Sequence, residues 1–153
     1  MKKVINEMEI KFKALSINES FARASIAGFC LQLNPSLDEL TDVKTAVSEA
    51  VTNSVVHAYK KVDENSIIIC CVKLFDNNEV EITIKDFGIG IENLEKAKQP
   101  FFTTWPNQER SGMGFTVMES FMDRVEVENQ KEGGLKVVLT KKFKDIKSEK
   151  EVV

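Results

Sequence analysis

The chain has 153 residues and seven glycines, and four of the seven form two G-x-G pairs, Gly88/Gly90 and Gly112/Gly114. Glycine lets backbone turn left-handed or approach a partner closely, and it weakens the interior of helices and strands. A chain that spaces its few glycines this way has two junctions under special geometric demand. Gly88/Gly90 follows an alternating run, Val80–Lys85, and so lies at a strand end. Gly112/Gly114 precedes the apolar, helix-compatible run Phe115–Met122, and so lies where a loop enters a helix. Of the others, Gly133-Gly134 reads as a hairpin turn and Gly28 as a close-packing site inside a helix.

The pattern around these junctions predicts an α+β fold. Met8, Ile10, Phe12 and Ala14 alternate with charged residues as in a half-buried strand. Asn18 offers an N-cap to a helix carrying Ala22, Ile26, Phe29, Cys30 and Leu33, which Asn34-Pro35 ends. Ser36 and Glu39 have capping-box spacing, and Leu40, Val43, Val47, Val51, Ser54 and Ala58 then give one long helix a single face. Ser66–Phe75 and Val80–Lys85 flank the turn Asp76-Asn77-Asn78 as a hairpin. Residues 92–99 suit a short helix, residues 100–112 read as a long binding or lid loop, and Val125–Glu128 with Leu135–Phe143 form a second hairpin. The expected architecture is a two-layer sandwich: one mixed, mostly antiparallel sheet with helices on one face. Residues 1–143 form a single domain on this reading, and residues 144–153 a disordered tail.

Composition narrows the class. Hydrophobic residues make up 42% of the chain, enough for a real core, and a net charge of −3 is not that of a strongly basic nucleic-acid binder. No apolar run approaches a membrane span, and the start, Met1-Lys2-Lys3-Val4, leads into charged residues, so the expected compartment is the cytoplasm. Cys30, Cys70 and Cys71 give an odd number with two adjacent, which suits packing residues better than a disulfide framework. A single histidine and no CxxC argue against structural zinc.

Four constellations carry possible chemistry. Glu49, Asn53 and His57 follow one another at i, i+4, i+8 along the long helix. A carboxylate there suits a general base and an amide oxygen suits Mg²⁺, though a solvated helix flank has the same letters. Asp86 ends the alternating strand in Asp86-Phe-Gly-Ile-Gly90, where it can accept a hydrogen bond from an exocyclic amine such as adenine's; a tight turn is the plainer alternative. The letters Asp-Phe-Gly also occur in protein kinases, but no H-R-D loop accompanies them here. Glu109-Arg-Ser-Gly-Met-Gly-Phe115 leaves backbone amides free at a helix start, which favours phosphate, and puts Arg110 within reach of a terminal phosphate; a flexible hinge is the alternative. No Walker A pattern occurs. Thr103 and Thr104 lie between the two glycine pairs, with hydroxyls suited to ribose or phosphate.

The order of these parts resembles the ATP-binding fold of the GHKL superfamily, whose members include gyrase, Hsp90, histidine kinases and MutL. There the Glu49–Asn53 stripe corresponds to the N box, Asp86–Gly90 to the G1 box and Gly112–Gly114 to the G2 box. Within the superfamily the chain is similar to the anti-sigma F family. The likeness runs through Asn18-Glu-Ser-Phe-Ala-Arg23, Glu49-Ala-Val-Thr-Asn-Ser-Val-Val-His-Ala-Tyr59, Phe102-Thr-Thr104, Glu109–Phe115 and Met118-Glu-Ser-Phe-Met-Asp123, and so covers nearly the whole chain.

The resemblance implies an anti-sigma factor that binds a sporulation sigma factor and, as a serine kinase, phosphorylates an anti-anti-sigma protein of the STAS type using Mg-ATP. It implies Glu49 as the general base, Asn53 as the Mg²⁺ ligand and Asp86 as the reader of the adenine amine. Gly88 and Gly90 would shape the base pocket, and Thr103 and Thr104 would contact nucleotide from the lid. Arg110 would reach the γ-phosphate, and Gly112, Met113 and Gly114 would wrap the phosphates. Arg23 would meet sigma, and a homodimer is expected, with no direct contact to nucleic acid or membrane. Trp105 departs from the family, which commonly carries Lys there, and puts in doubt any charged contact at that place. A non-catalytic module that sequesters sigma in response to nucleotide is the competing expectation; it would have no need of Glu49. A detached histidine-kinase domain fits less well, because the only histidine, His57, lies beside Asn53.

Overall fold

A computed structural model describes residues 1–59, 61–97 and 114–144. Its elements are β1 (Val4–Lys13), α1 (Asn18–Cys30), a 3₁₀ turn (Leu31–Leu33), α2 (Leu37–Asn53), a π turn (Ser54–Ala58), β2 (Ile67–Phe75), β3 (Glu79–Asp86), α3 (Leu94–Ala97), α4 (Gly114–Phe121), β4 (Arg124–Asn129) and β5 (Leu135–Lys142). The strands form one sheet in the order β1-β2-β3-β5-β4, and every pairing is antiparallel. The mixed character expected from sequence therefore narrows to a purely antiparallel sheet among the described residues. Helices α1 and α4 each pack against α2, and all three cover one face of this sheet.

Period-two alternation sets that face. The row Ile10, Cys70, Ile84, Val137 and Val127 runs across all five strands on the helix side, beside a second row of Met8, Val72, Ile82, Leu139 and Val125. Against them lie Ala22, Ile26 and Cys30 of α1, Val43, Val47, Ala50 and Val51 of α2, and Phe115 and Met118 of α4, all buried. The same alternation in β3, Val80-Ile82-Ile84-Asp86, brings a carboxylate onto the core face at the strand's last position. Burial pushes the Cys30 and Cys70 thiols up to about 12, so both stay neutral packing groups at ordinary pH.

Asn18, expected as the N-cap, is instead the first residue of helix α1, whose N-cap residue is Ile17 with no side-chain cap bond. Asn18 Nδ2 instead donates to the Lys13 carbonyl at 2.9 Å, tying the helix start back to β1. Gly28 is not a close-packing site: a Cβ built there would meet nothing within 4 Å. Helix α2 opens with the full Ser36/Glu39 capping box, with Glu39 N donating to Ser36 Oγ at 3.1 Å and Ser36 N to Glu39 Oε1 at 2.9 Å. The other Glu39 oxygen accepts the Lys144 amide at 2.9 Å, so the end of the β5 segment is latched to the start of α2.

Burial pushes the Glu39 carboxyl up, but the Ser36 and Lys144 amides and the nearby Lys141 charge outweigh it and hold the group below its usual 4.5. A carboxyl lowered in the folded state contributes stability above its unfolded value and loses that contribution as pH falls through the folded one. Glu39→Ala is therefore expected to cost about 1 kcal/mol at pH 7. In urea melts across pH the gap from wild type should shrink below pH 4.5.

Candidate functional site

The site is built where the end of α2, the end of β3, the start of α4 and the β4–β5 hairpin converge. Its centre is Asp86, 2% exposed. Ser54 Oγ donates to Asp86 Oδ2 at 2.9 Å, while Asp86 Oδ1 accepts the amides of Gly88 at 3.1 Å and Leu135 at 3.0 Å. A carboxylate offers about four acceptor directions. Three are used by described donors, which leaves capacity on Oδ2 for one more. Burial raises the Asp86 carboxyl above its ordinary range, against the lowering effect of the Leu135, Gly88 and Ser54 bonds. Its ionised form is thus a net cost to folding that is relieved as pH falls, the opposite sign to Glu39. An anion kept in the core at a net cost is more typical of a binding group than of a structural one.

Close backbone approach holds the loop after Asp86 in place. A Cβ on Gly88 would collide with the Ala58 carbonyl, and Ile89 N donates to that same carbonyl at 2.9 Å. Tyr59 Oη accepts the Phe87 amide at 2.8 Å and donates to the Ile67 carbonyl at 2.7 Å. On the other side Gln130 Nε2 donates to the Asp86 carbonyl at 2.7 Å, and Asn129 brackets Ile91, accepting its amide at 2.9 Å and donating to its carbonyl at 2.7 Å. Gly90 has φ +70°, and a Cβ there would lie 2.6 Å from Asn129 Oδ1. Gly134 is more than a turn residue, because a Cβ on it would collide with the Asp86 carbonyl.

Glu49 and Asn53 sit one turn apart on α2, both half-buried. Asn53 lies against the first residue of α4, where a Cβ on Gly114 would be 2.9 Å from Asn53 Nδ2. His57 does not continue their α-helical stripe, since the helix widens into the π turn from Ser54 and breaks the i, i+4 register. Such π turns often mark functional sites. Arg23 lies apart, on α1: its Nη1 is 3.4 Å from Glu19 Oε1 and 3.5 Å from Ser48 Oγ, and Ser48 donates to the same Glu19 oxygen. Thr103, Thr104, Trp105, Arg110, Gly112 and Met113 lie outside the described residues.

Structure thus unites Asn53, Asp86, Gly88, Gly90 and Gly114 around one cradle. It adds Ser54, Tyr59, Asn129, Gln130, Gly134 and the Leu135 amide. A serine on an otherwise apolar helix face, directly after Asn53, is the signal that marks Ser54 in the sequence. Among the described residues no group of three or more His, Cys, Asp or Glu is arranged to hold a metal, and no helix is long and apolar enough to cross a membrane.

A family model described as a histidine kinase-like ATPase domain matches residues 13–141. The anti-sigma F factor of Clostridium perfringens is 52% identical over 138 residues, covering 90% of this chain and 97% of the relative. That of a Geobacillus strain is 54% identical over 136 residues, covering 89% and 92%. Among solved structures, the RsbU and RsbW domains of a Mycobacterium tuberculosis protein superpose with a TM-score of 0.62 at 17% identity, covering 90% of this chain and 32% of that one. The mycobacterial sensor histidine kinase MprB gives 0.51 at 17% identity, covering 69% and 74%. At that identity the two structures bear on the fold alone.

The two outlying glycines provide a paired test. Gly134→Ala puts a methyl into the Asp86 carbonyl at a residue with φ +93° and should destabilise the fold by about 2 kcal/mol or more. Gly28→Ala, in open space inside α1, should instead stabilise it by about 0.5–1 kcal/mol. Chemical denaturation of both variants checks the signs.

Proposed function

The chain belongs to the anti-sigma F factor family of histidine kinase-like ATPases, and we propose that it sequesters a sporulation sigma factor and phosphorylates a serine of a STAS-type anti-anti-sigma protein with Mg-ATP. Membership in an ATPase family of this type implies nucleotide binding. The observation that carries the finer reading is the Asp86 cradle: a buried carboxylate with one acceptor direction spare, next to an amide-bearing helix end and the start of α4.

In this account Asp86 accepts the adenine amine, and Gly88 and Gly90 let the loop lie close against the base. Asn53 Oδ1 would be the protein group that holds Mg²⁺. A single amide oxygen would suit a cation otherwise held by substrate phosphates and water. Bound Mg-ATP supplies the phosphoryl group and the charge neutralisation that such transfer requires. Glu49, one turn before Asn53, takes the proton of the incoming serine hydroxyl. Arg110, Thr103, Thr104, Gly112, Met113 and Gly114 hold the phosphates and ribose. Arg23, on the α1 surface, engages sigma, and the working unit is a homodimer in the cytoplasm.

Glu49→Gln should lower single-turnover transfer to the partner by about 10²–10⁴-fold while leaving ATP affinity within about twofold. Labelled-ATP transfer and direct nucleotide titration measure the two quantities. Normal transfer by the variant would remove Glu49 from the role of base. Sigma binding without any transfer by wild type would favour a nucleotide-responsive sequestering module.

A further inference from the structure

We propose that Asn129 and Gln130, at the tip of the β4–β5 hairpin, are positioning residues that fix the adenine loop and thereby set nucleotide affinity. This rests on the assignment of Asp86–Gly90 to the base pocket. The loop from Asp86 to Ile91 is gripped at both ends by one short segment. At its start, Gln130 Nε2 donates to the Asp86 carbonyl at 2.7 Å, and the Leu135 amide holds the Asp86 carboxylate at 3.0 Å. At its end, Asn129 makes two bonds to Ile91, 2.9 Å to its amide and 2.7 Å to its carbonyl. One side chain thereby imitates the paired bonds of a neighbouring antiparallel strand, where the loop has left the sheet.

The hairpin that delivers these groups is itself braced. Gln130 N donates to the Gly134 carbonyl at 2.8 Å and Gly133 N to the Gln130 carbonyl at 3.1 Å. Gly133 and Gly134, with φ +103° and +93°, let the tip turn in until Gly134 touches the Asp86 backbone. On the opposite side, the Ala58 carbonyl and Tyr59 hydroxyl hold the amides of Ile89 and Phe87. The hairpin is therefore one jaw of a clamp whose other jaw is the end of the helix that carries Glu49 and Asn53. Neither Asn129 nor Gln130 needs to touch nucleotide to matter. Both remove conformational freedom from the loop before a base arrives, and that lowers the entropy cost of binding.

Truncating either side chain should open the loop without changing the groups that act on phosphate. In Asn129→Ala, hydrogen exchange at the Ile91 amide of the nucleotide-free protein should quicken by about tenfold or more. ATP and ADP should bind about tenfold more weakly in direct titration with a fluorescent analogue. KM for ATP should rise in step while kcat at saturating ATP stays within about twofold. Gln130→Ala should shift the same quantities in the same direction by a smaller factor, and carries the test if Asn129→Ala fails to fold. Lys131→Ala, on the same hairpin tip and exposed, should leave all of them unchanged. Faster exchange with unaltered affinity would overturn the inference while leaving the nucleotide site intact, and so would a fall in kcat without a change in KM. A wild-type protein that binds neither nucleotide would overturn the proposed function, and this inference with it.

Discussion

The buried carboxylate of Asp86 is the point on which the rest of the site depends. It stands on the core face of β3, next in the alternation after Val80, Ile82 and Ile84, where a fourth apolar side chain would have packed more cheaply. The cost is reduced by three donors from three parts of the chain: Ser54 after α2, Gly88 in the following loop, and Leu135 at the start of β5. One anion thereby joins helix layer, sheet and hairpin. Such a group also fixes the distance between the end of β3 and the end of α2, and hence between the proposed base pocket and the residues proposed for Mg²⁺ and for the attacking hydroxyl.

Helix α2 transmits that constraint. Its start is capped by Ser36 and Glu39 and latched by Lys144, and Val43, Ala46, Val47, Ala50 and Val51 on its apolar face are buried. Its far end widens into the π turn, where Ser54 turns toward Asp86 and the Ala58 carbonyl toward Ile89. The proposed chemistry thus sits on this helix near its widened end, with Glu49 and Asn53 on the regular turns and the loop after Asp86 seated on the irregular one. Arg23, tied to Glu19 and to Ser48, shares α2's neighbourhood, so the residue proposed to meet sigma lies one helix away from the proposed base.

Much of this could be read from residue pattern. Alternation in β3 puts Asp86 on the helix side, Ser36 with Glu39 announces the start of α2, and Asn78 at φ +69° closes the expected hairpin turn. What escaped the pattern has a common cause: it depends on contacts between segments far apart in sequence. The Asn18 side chain has cap chemistry but finds the Lys13 carbonyl instead. The π turn keeps the letters of an α-helix and differs only in which groups its last turn must satisfy. Gly28 and Gly134 are the same residue type, yet one faces open space and the other a carbonyl, which no local spacing distinguishes. Asn129 and Gln130 look like ordinary hairpin polarity until Asp86 and Ile91 are brought beside them.

Asp86→Asn is the sharpest probe of the whole arrangement because it is nearly isosteric. The amide oxygen can still accept from Gly88 and Leu135, and Ser54 can reverse its hydroxyl to accept from the new amide hydrogen. Only the spare acceptor direction is lost, replaced by a donor that opposes the adenine amine. Calorimetric titration of ATP and ADP into the folded variant should therefore show binding weakened by about 10–100-fold, with a melting temperature close to wild type. Unchanged nucleotide affinity in that variant would contradict the account, because Asp86 would then be a structural group and the base would bind elsewhere.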